Sequence, residues 1–293
     1  MEIGVAFPQV EIGTDPVVIR DFAQAVEGMG FKHISCIDHV LGARAPNEVP
    51  WSASYTIDRQ FHEPLVLFGF LAAVTQKVRM ATAILILPQR QTALVAKQAA
   101  EVDVLSSGRL TLGVGIGWNE VEYVALNEGF KNRARRYEEQ FEVLRKLWTE
   151  QLVTFKGKYH TIDDAGINPL PVQRPIPLWI GAFEDVAVQR ACRIADGWFT
   201  KPWMTPDDDD SKRVLDQVGV WLDEYGRDKD GFSINAVALA KRGSVNQWVA
   251  DTEGWRNMGV SHCTFRTIDA PYETIDQHLA ACQEYADAIG LKG

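Results

Sequence analysis

Eight apolar, strand-like runs, each followed by a helix-like segment, limit what this chain can fold into. The runs cover 2–8, 32–38, 78–87, 109–116, 177–181, 197–200, 233–240 and 260–266. Most are apolar on both faces, as parallel strands covered by helices must be. Eight βα units within 293 residues predict an α/β fold, a (β/α)8 TIM barrel with insertions after strand 2 and before strand 5. One domain is expected over 1–293. A doubly wound sheet is the runner-up, but no acidic ribose-binding residue follows a first Gly-rich turn at the right distance.

Helix boundaries carry their own signals. Asp15-Pro16 places an N-cap before a proline at the first helical position, and Gly30 stops that helix. Glu63-Pro64 opens the next, to about Thr75. Further helices are expected over 92–105, 120–127, 133–147, 185–195, 211–225, 244–258 and 272–289. The polar, aromatic stretch 39–60 is too long for a bare connector. A small hairpin is expected over 152–162, before a stretch holding Pro169, Pro171, Pro175 and Pro177. The acidic run 207–210 reads as a solvated loop and N-cap, not a metal site.

Composition narrows the function classes. The net charge of −9 argues against nucleic acid or an anionic membrane as partner. No apolar run approaches the roughly 20 residues that span a bilayer, and the first residues do not read as a signal peptide. Cys36, Cys192, Cys263 and Cys282 are scattered, with no CxxC. Neither a zinc site nor a disulfide framework is expected, and the default compartment is a reducing cytoplasm.

Active sites of such barrels lie at the C-terminal ends of the strands. That rule selects Phe7, Pro8 and Gln9 after strand 1, and Asp38-His39 after strand 2. It selects Thr82, Ala83 and Ile84 near the end of strand 3, and 113–119 after strand 4. It also selects Gly181, Ala182 and Phe183 after strand 5, Thr200-Lys201 after strand 6, and Arg266. Glycines at 113, 115 and 117 let backbone or a flat ligand approach a strand end closely. A small-residue turn before the helix at Asp185 offers backbone N–H groups to an anion, although Glu184 and Asp185 already supply negative charge there. For Asp38-His39 the residues alone allow two readings: a salt-linked strand terminus, or a carboxylate orienting a proton-shuttling imidazole. Trp118 is a core tryptophan or a pocket wall. Lys201 is a solvated lysine or a phosphate cation. His62 is read as structural.

Several pieces, in order, carry a resemblance. They are GVAFPQ, the pair Asp38-His39, ATAILILPQRQTALVAKQAAEVDVLSSGRLTLGVGIGWNEVE, RRYEEQFEVLRKLW and PLWIGAFEDVAVQRACRIADGWF. Together the chain resembles the bacterial luciferase-like flavin/deazaflavin oxidoreductases over essentially its full length. The resemblance implies that Asp38 and His39 lie beside the tricyclic ring of coenzyme F420, where FMN-using members more often carry Glu-His. It implies a bulge at Ala83 and Ile84, often with a cis peptide, that props the ring from behind. Phe7, Thr82, Gly115 and Gly117 are expected near the cofactor. Its phosphate is expected at Gly181, Ala182 and Phe183, with Lys201 as cation. Where relatives carry Gly-Gly, this chain has Gly181-Ala182. Trp118 stands where the sugar-phosphate dehydrogenases of the F420 branch carry Glu, so glucose 6-phosphate is not the expected substrate.

The leading expectation is an F420-dependent oxidoreductase acting on a small, hydrophobic substrate, with Trp51, Trp118, Asn119 and Trp203 around the pocket. The alternatives are an FMN-dependent monooxygenase, which needs a partner flavin reductase, and a non-catalytic flavin- or deazaflavin-binding protein. A homodimer is expected, and the small, apolar helix TALVAKQAAEVDVL suits either close packing in it or an inner place against the barrel.

Overall fold

The strand-like runs close into a ring. The structure, a computed structural model, describes residues 1–44 and 55–293. β1 (Glu2–Ala6), β2 (His33–Cys36), β3 (Arg79–Thr82), β5 (Leu110–Gly115), β8 (Leu178–Gly181), β9 (Gly197–Phe199), β10 (Ser233–Leu239) and β11 (His262–Arg266) pair in that order, all parallel. β11 returns to β1 and closes the barrel. The (β/α)8 expectation is met, with both insertions in place.

One predicted strand is divided. The run 78–87 forms β3 and then β4 (Leu85–Ile86), which pairs with β5 instead of continuing along β2. Ala83 still donates its N–H to the Cys36 carbonyl at 2.7 Å, and the Ala83–Ile84 peptide is cis. A 3-10 turn, Leu87–Gln89, follows, with Pro88 offering no N–H to a ladder.

The helices begin where their caps allow. Asp15 accepts from the Val17 N–H before α1 (Pro16–Gly28), and Glu63 accepts from the Val66 N–H before α2 (Pro64–Val74). α3 (Thr92–Leu105) returns to β5. α4 (Glu120–Ala125), α5 (Arg133–Thr149) and the antiparallel hairpin β6 (Val153–Lys156) and β7 (Thr161–Ala165) fill the passage to β8. α6 (Asp185–Ile194), α7 (Asp209–Glu224) and α8 (Val245–Asn257) cover the remaining strands. Asp208 caps α7, so the acidic run is the expected N-cap. α9 (Ile275–Ala288) starts three residues later than 272, because Thr274 and Gln277 form a capping box.

Side chains fill the barrel interior. Trp179 on β8 packs against Phe199 on β9 and edge-on against His262 on β11, with ring centroids 5.2 and 4.8 Å apart. β8 and β11 are not neighbours, so they meet only across the interior. His33 on β2 reaches over β1 to the Thr264 hydroxyl at 2.8 Å, and Thr264 donates to Asn235. Gly4 lies beneath the His33 ring, where a Cβ would fall 2.2 Å from it. Arg109 stitches the N-terminal edge by donating to the carbonyls of Ala72, Thr75, Val78 and Ser106.

Burial holds His33 at about 3 and His278 at about 4, below the ordinary 6.5. An unfolded chain therefore takes up protons that the folded chain refuses. Stability from these sites is complete above pH 6.5 and is lost as pH falls. Each histidine costs up to about 1.4 kcal/mol per pH unit over that window. Urea midpoints measured from pH 7.5 to 5 are expected to fall, and less steeply in His33→Gln. Equal slopes in the two proteins would count against the assignment.

Candidate active site

The end of β2 sends its two polar residues to different partners. Asp38 is 2% exposed. One oxygen accepts from the Ile86 N–H at 2.9 Å and the other from Arg90 Nη2 at 2.8 Å. Arg90 also donates to Glu63 Oε1 at 2.7 Å. Burial pushes the Asp38 carboxyl up, against the pull of Arg90 and the Ile86 N–H. Both oxygens are engaged, so the geometry gives Asp38 the task of fixing the segment after β3. This is the ion-paired arrangement that the residues alone allow for Asp38 beside the catalytic one.

His39 turns toward α4. Its Nδ1 lies 3.3 Å from Glu122 Oε1. Its ring packs against Tyr55, Phe61 and Trp118, with centroids 4.6, 5.0 and 5.9 Å away. Trp118, half-buried, is thus one wall of this enclosure.

Ile84 explains two of the glycines. A Cβ on Gly115 would sit 2.6 Å from Ile84 Cδ1, and one on Gly181 would sit 2.7 Å from Ile84 Cγ2. The half-buried Ile84 side chain occupies the space that side chains at the ends of β5 and β8 would take. It leaves a floor that is apolar and low. Ala83 packs with it against the Ala81, Trp179 and Phe199 cluster. Thr82 is buried and donates to the Gly113 carbonyl at 2.6 Å. Gly117, at φ 60°, turns the chain toward α4, and a Cβ there would meet Ile86 at 2.6 Å.

Other expected residues are placed differently. Phe7 is fully buried, its ring against Phe22 of α1 and His62. Asn119 caps α4 through the Val121 N–H and donates to the Leu41 carbonyl at 3.4 Å. Its amide is thus engaged with backbone at both of these contacts. Lys201 pairs with Asp210 at 3.3 Å, and Arg213 bridges Asp210 and Asp185. The start of α6 therefore carries a balanced ion network beside Ala182, whose carbonyl accepts from Trp198 Nε1. Phe183 and Trp203 are exposed and meet edge-to-face at 4.9 Å, forming part of the rim. Trp51 lies outside the described residues. Among the described residues no three His, Cys, Asp or Glu side chains gather as a metal site.

Sequence reasoning missed Arg90, Glu122 and Phe61 at this site as it is built. Arg90 was the one charge at the end of an apolar run. Glu122 stands three residues after an Asn N-cap, capping-box spacing that suggests a helix-local role. The end of β5 is held by hydroxyls of α4 and α5: Tyr123 donates to the Ile116 carbonyl at 2.6 Å and Tyr137 to that of Val114 at 3.0 Å. Arg136 and Gln140 of α5 grip the Pro88 and Leu87 carbonyls. The arrangement offers an apolar floor, aromatic walls and one imidazole for proton exchange.

Arg90→Ala leaves the Asp38 carboxylate buried without its cation. The expected loss is about 3–5 kcal/mol, easing as pH falls and Asp38 protonates. Adding Asp38→Asn should recover part of it. A single-variant loss under about 1 kcal/mol, the range of exposed pairs, would show that the ion pair does not hold this segment.

Comparison with known proteins fits this geometry. An uncharacterised protein of Mycobacterium tuberculosis is 31% identical over 273 residues, 89% of this chain and 93% of that protein. An FMNH2-dependent dimethylsulfone monooxygenase of Pseudomonas putida is 32% identical over 185 residues, 62% of this chain and 47% of that one. An F420-dependent glucose-6-phosphate dehydrogenase of Microbacterium testaceum is 30% identical over 223 residues, 73% and 61% of the two chains. Among solved structures, the monooxygenase RslO1 from Streptomyces bottropensis superposes with a TM-score of 0.80 at 17% identity, covering 99% of this chain and 98% of its own. Residues 1–240 match the family model described as luciferase-like monooxygenase, and the chain belongs to that family.

Proposed function

We propose that this protein is an F420-dependent oxidoreductase moving a hydride between the deazaflavin and a small, hydrophobic carbonyl, imine or activated alkene. The observation that carries the reading is the pair at the end of β2. Asp38 is locked to the segment after β3, and His39 is held in an aromatic enclosure as a proton donor or acceptor. When bound, F420 supplies the hydride chemistry, and the protein supplies position and electrostatics. Ala83 and Ile84 fit a ring-supporting floor, since the Ile84 side chain lies nearest the space left open at Gly115 and Gly181. Ala182 and Phe183 with Lys201 would take the phosphate end, with Lys201 exchanging Asp210 for it.

A second reading, an FMN-dependent monooxygenase served by a separate flavin reductase, is favoured by the aromatic rings around His39, which exclude water. Family members of both kinds are among the relatives of this chain. Titration of the apo-protein with F420 and with FMN, followed by tryptophan fluorescence, separates the readings. Micromolar or tighter F420 binding with weak FMN binding is expected. The reverse preference would favour the monooxygenase, and binding of neither would end both. Tight F420 binding with no hydride acceptor found would indicate a carrier. His39→Ala is expected to lower kcat by about 10²–10⁴-fold with cofactor affinity nearly unchanged.

We take the protein to act as a cytoplasmic homodimer. All four cysteines are buried free thiols, as a reducing compartment allows, and no helix of the described residues is long and apolar enough to cross a membrane. Val66 and Phe70, one turn apart on α2, are 70% and 38% exposed, and α3 beside it presents Leu94 at 50%. Val66→Glu with Leu94→Glu is expected to give a monomer in sedimentation equilibrium where the wild type gives a dimer; a monomeric wild type would refute the assembly.

A further inference from the structure

We propose that Glu122 is the positioning residue for His39. Its buried carboxylate holds the imidazole as the Nδ1–H tautomer, and Nε2 is left as the atom that exchanges a proton with substrate. The tautomer assignment stands on geometry; only the substrate step rests on the hydride-transfer reading above.

Glu122 is 0% exposed and comes from α4, yet it serves the chain after β2. Its Oε1 accepts from the Val40 N–H at 2.7 Å, from the Leu41 N–H at 3.1 Å and faces His39 Nδ1 at 3.3 Å. Among the described residues its buried Oε2 has no hydrogen-bond partner, and its one ionic partner is His39. A carboxylate so enclosed needs donors or a cation. The two backbone N–H groups aim Oε1, and Asn119 adds a grip on the Leu41 carbonyl from the start of the same helix. Three rings hold the imidazole plane. Asp38, the neighbouring carboxylate, is turned to Ile86 and Arg90. Among the described residues, Tyr55 and Glu122 are the titratable groups facing the ring.

A hydrogen bond at one ring nitrogen decides which tautomer the other presents. With Nδ1–H directed at Glu122, Nε2 makes no hydrogen bond to the described residues. The 3.3 Å separation suits a neutral imidazole and leaves room to tighten once the ring is charged. In the reducing direction, imidazolium would give its Nε2 proton to the substrate heteroatom, and a bound deazaflavin would supply the hydride to carbon. The ring is left neutral with its proton on Nδ1, facing Glu122 Oε1.

The test reads the tautomer in ligand-free protein by 15N ring spectra, with the His39 signals assigned by their loss in His39→Asn. Nδ1–H is expected in the wild type and in Glu122→Gln, which keeps an acceptor for the Val40 and Leu41 N–H groups. Nε2–H is expected in Glu122→Ala. In turnover, Glu122→Gln should lower kcat about 10–100-fold at neutral pH, a part of what acid–base catalysis supplies, with little change in KM. The pH–rate limb that His39→Asn abolishes should move to lower pH. A purely structural Glu122 would leave that limb in place. Nε2–H in the wild type, an unchanged tautomer in Glu122→Ala, or an unmoved limb in Glu122→Gln each overturns the proposal. Should Glu122→Ala fail to fold, the wild-type tautomer and the Glu122→Gln limb decide. The tautomer is read without cofactor, so a failure of F420 binding is a separate result.

Discussion

The mouth of this barrel depends on the buried contact between Asp38, Arg90 and Glu63. It joins the end of β2, the turn after β4 and the start of α2 in one charged cluster. Removing Asp38 from water is costly, and the bidentate reach of Arg90 offsets that cost while tying two loops to one strand end. The Ile86 N–H, left over by the break in the β3 ladder, is satisfied by the same carboxylate. The position of Ile84, and with it the shape of the floor, follows from this anchoring.

A second consequence is the division of labour between neighbouring residues. Successive side chains at a strand end point to opposite sides. Asp38 goes to the segment after β3, and His39 goes to the aromatic enclosure and Glu122. One is engaged in an ion pair, and the other faces a carboxylate and aromatic rings. The fold achieves this with helices on both flanks. α5 holds the turn at 87–89 from one side through Arg136 and Gln140, and α4 holds the turn at 39–41 from the other.

Much of the architecture was legible in the chain. The eightfold alternation of apolar runs reflects parallel strands buried on both faces, and the Asp15-Pro16 and Glu63-Pro64 caps mark helices by local hydrogen bonding alone. The site was legible only in part. Its strand-end residues follow from the topology, but their pairings do not. Glu122 and His39 are 83 positions apart, and Arg90 and Asp38 are 52 apart. No local pattern encodes such partners. Phe7 and Asn119 show the same: both sit at strand ends in the sequence, and only the fold sets Phe7 against Phe22 and Asn119 at the cap of α4.

The glycines draw the same boundary. The chain alone determined that 113, 115, 117 and 181 lack side chains, and that the backbone there allows close approach. Tertiary structure decided what approaches: the Ile84 side chain at Gly115 and Gly181, Ile86 at Gly117, and the Thr82 carbonyl at Gly113. The sequence by itself determined the barrel, because burial on two faces and helix capping are local properties written in residue order. Only the folded chain decided which polar groups share a charge or a proton, because those contacts are made between strand ends and helices that meet only when the ring closes.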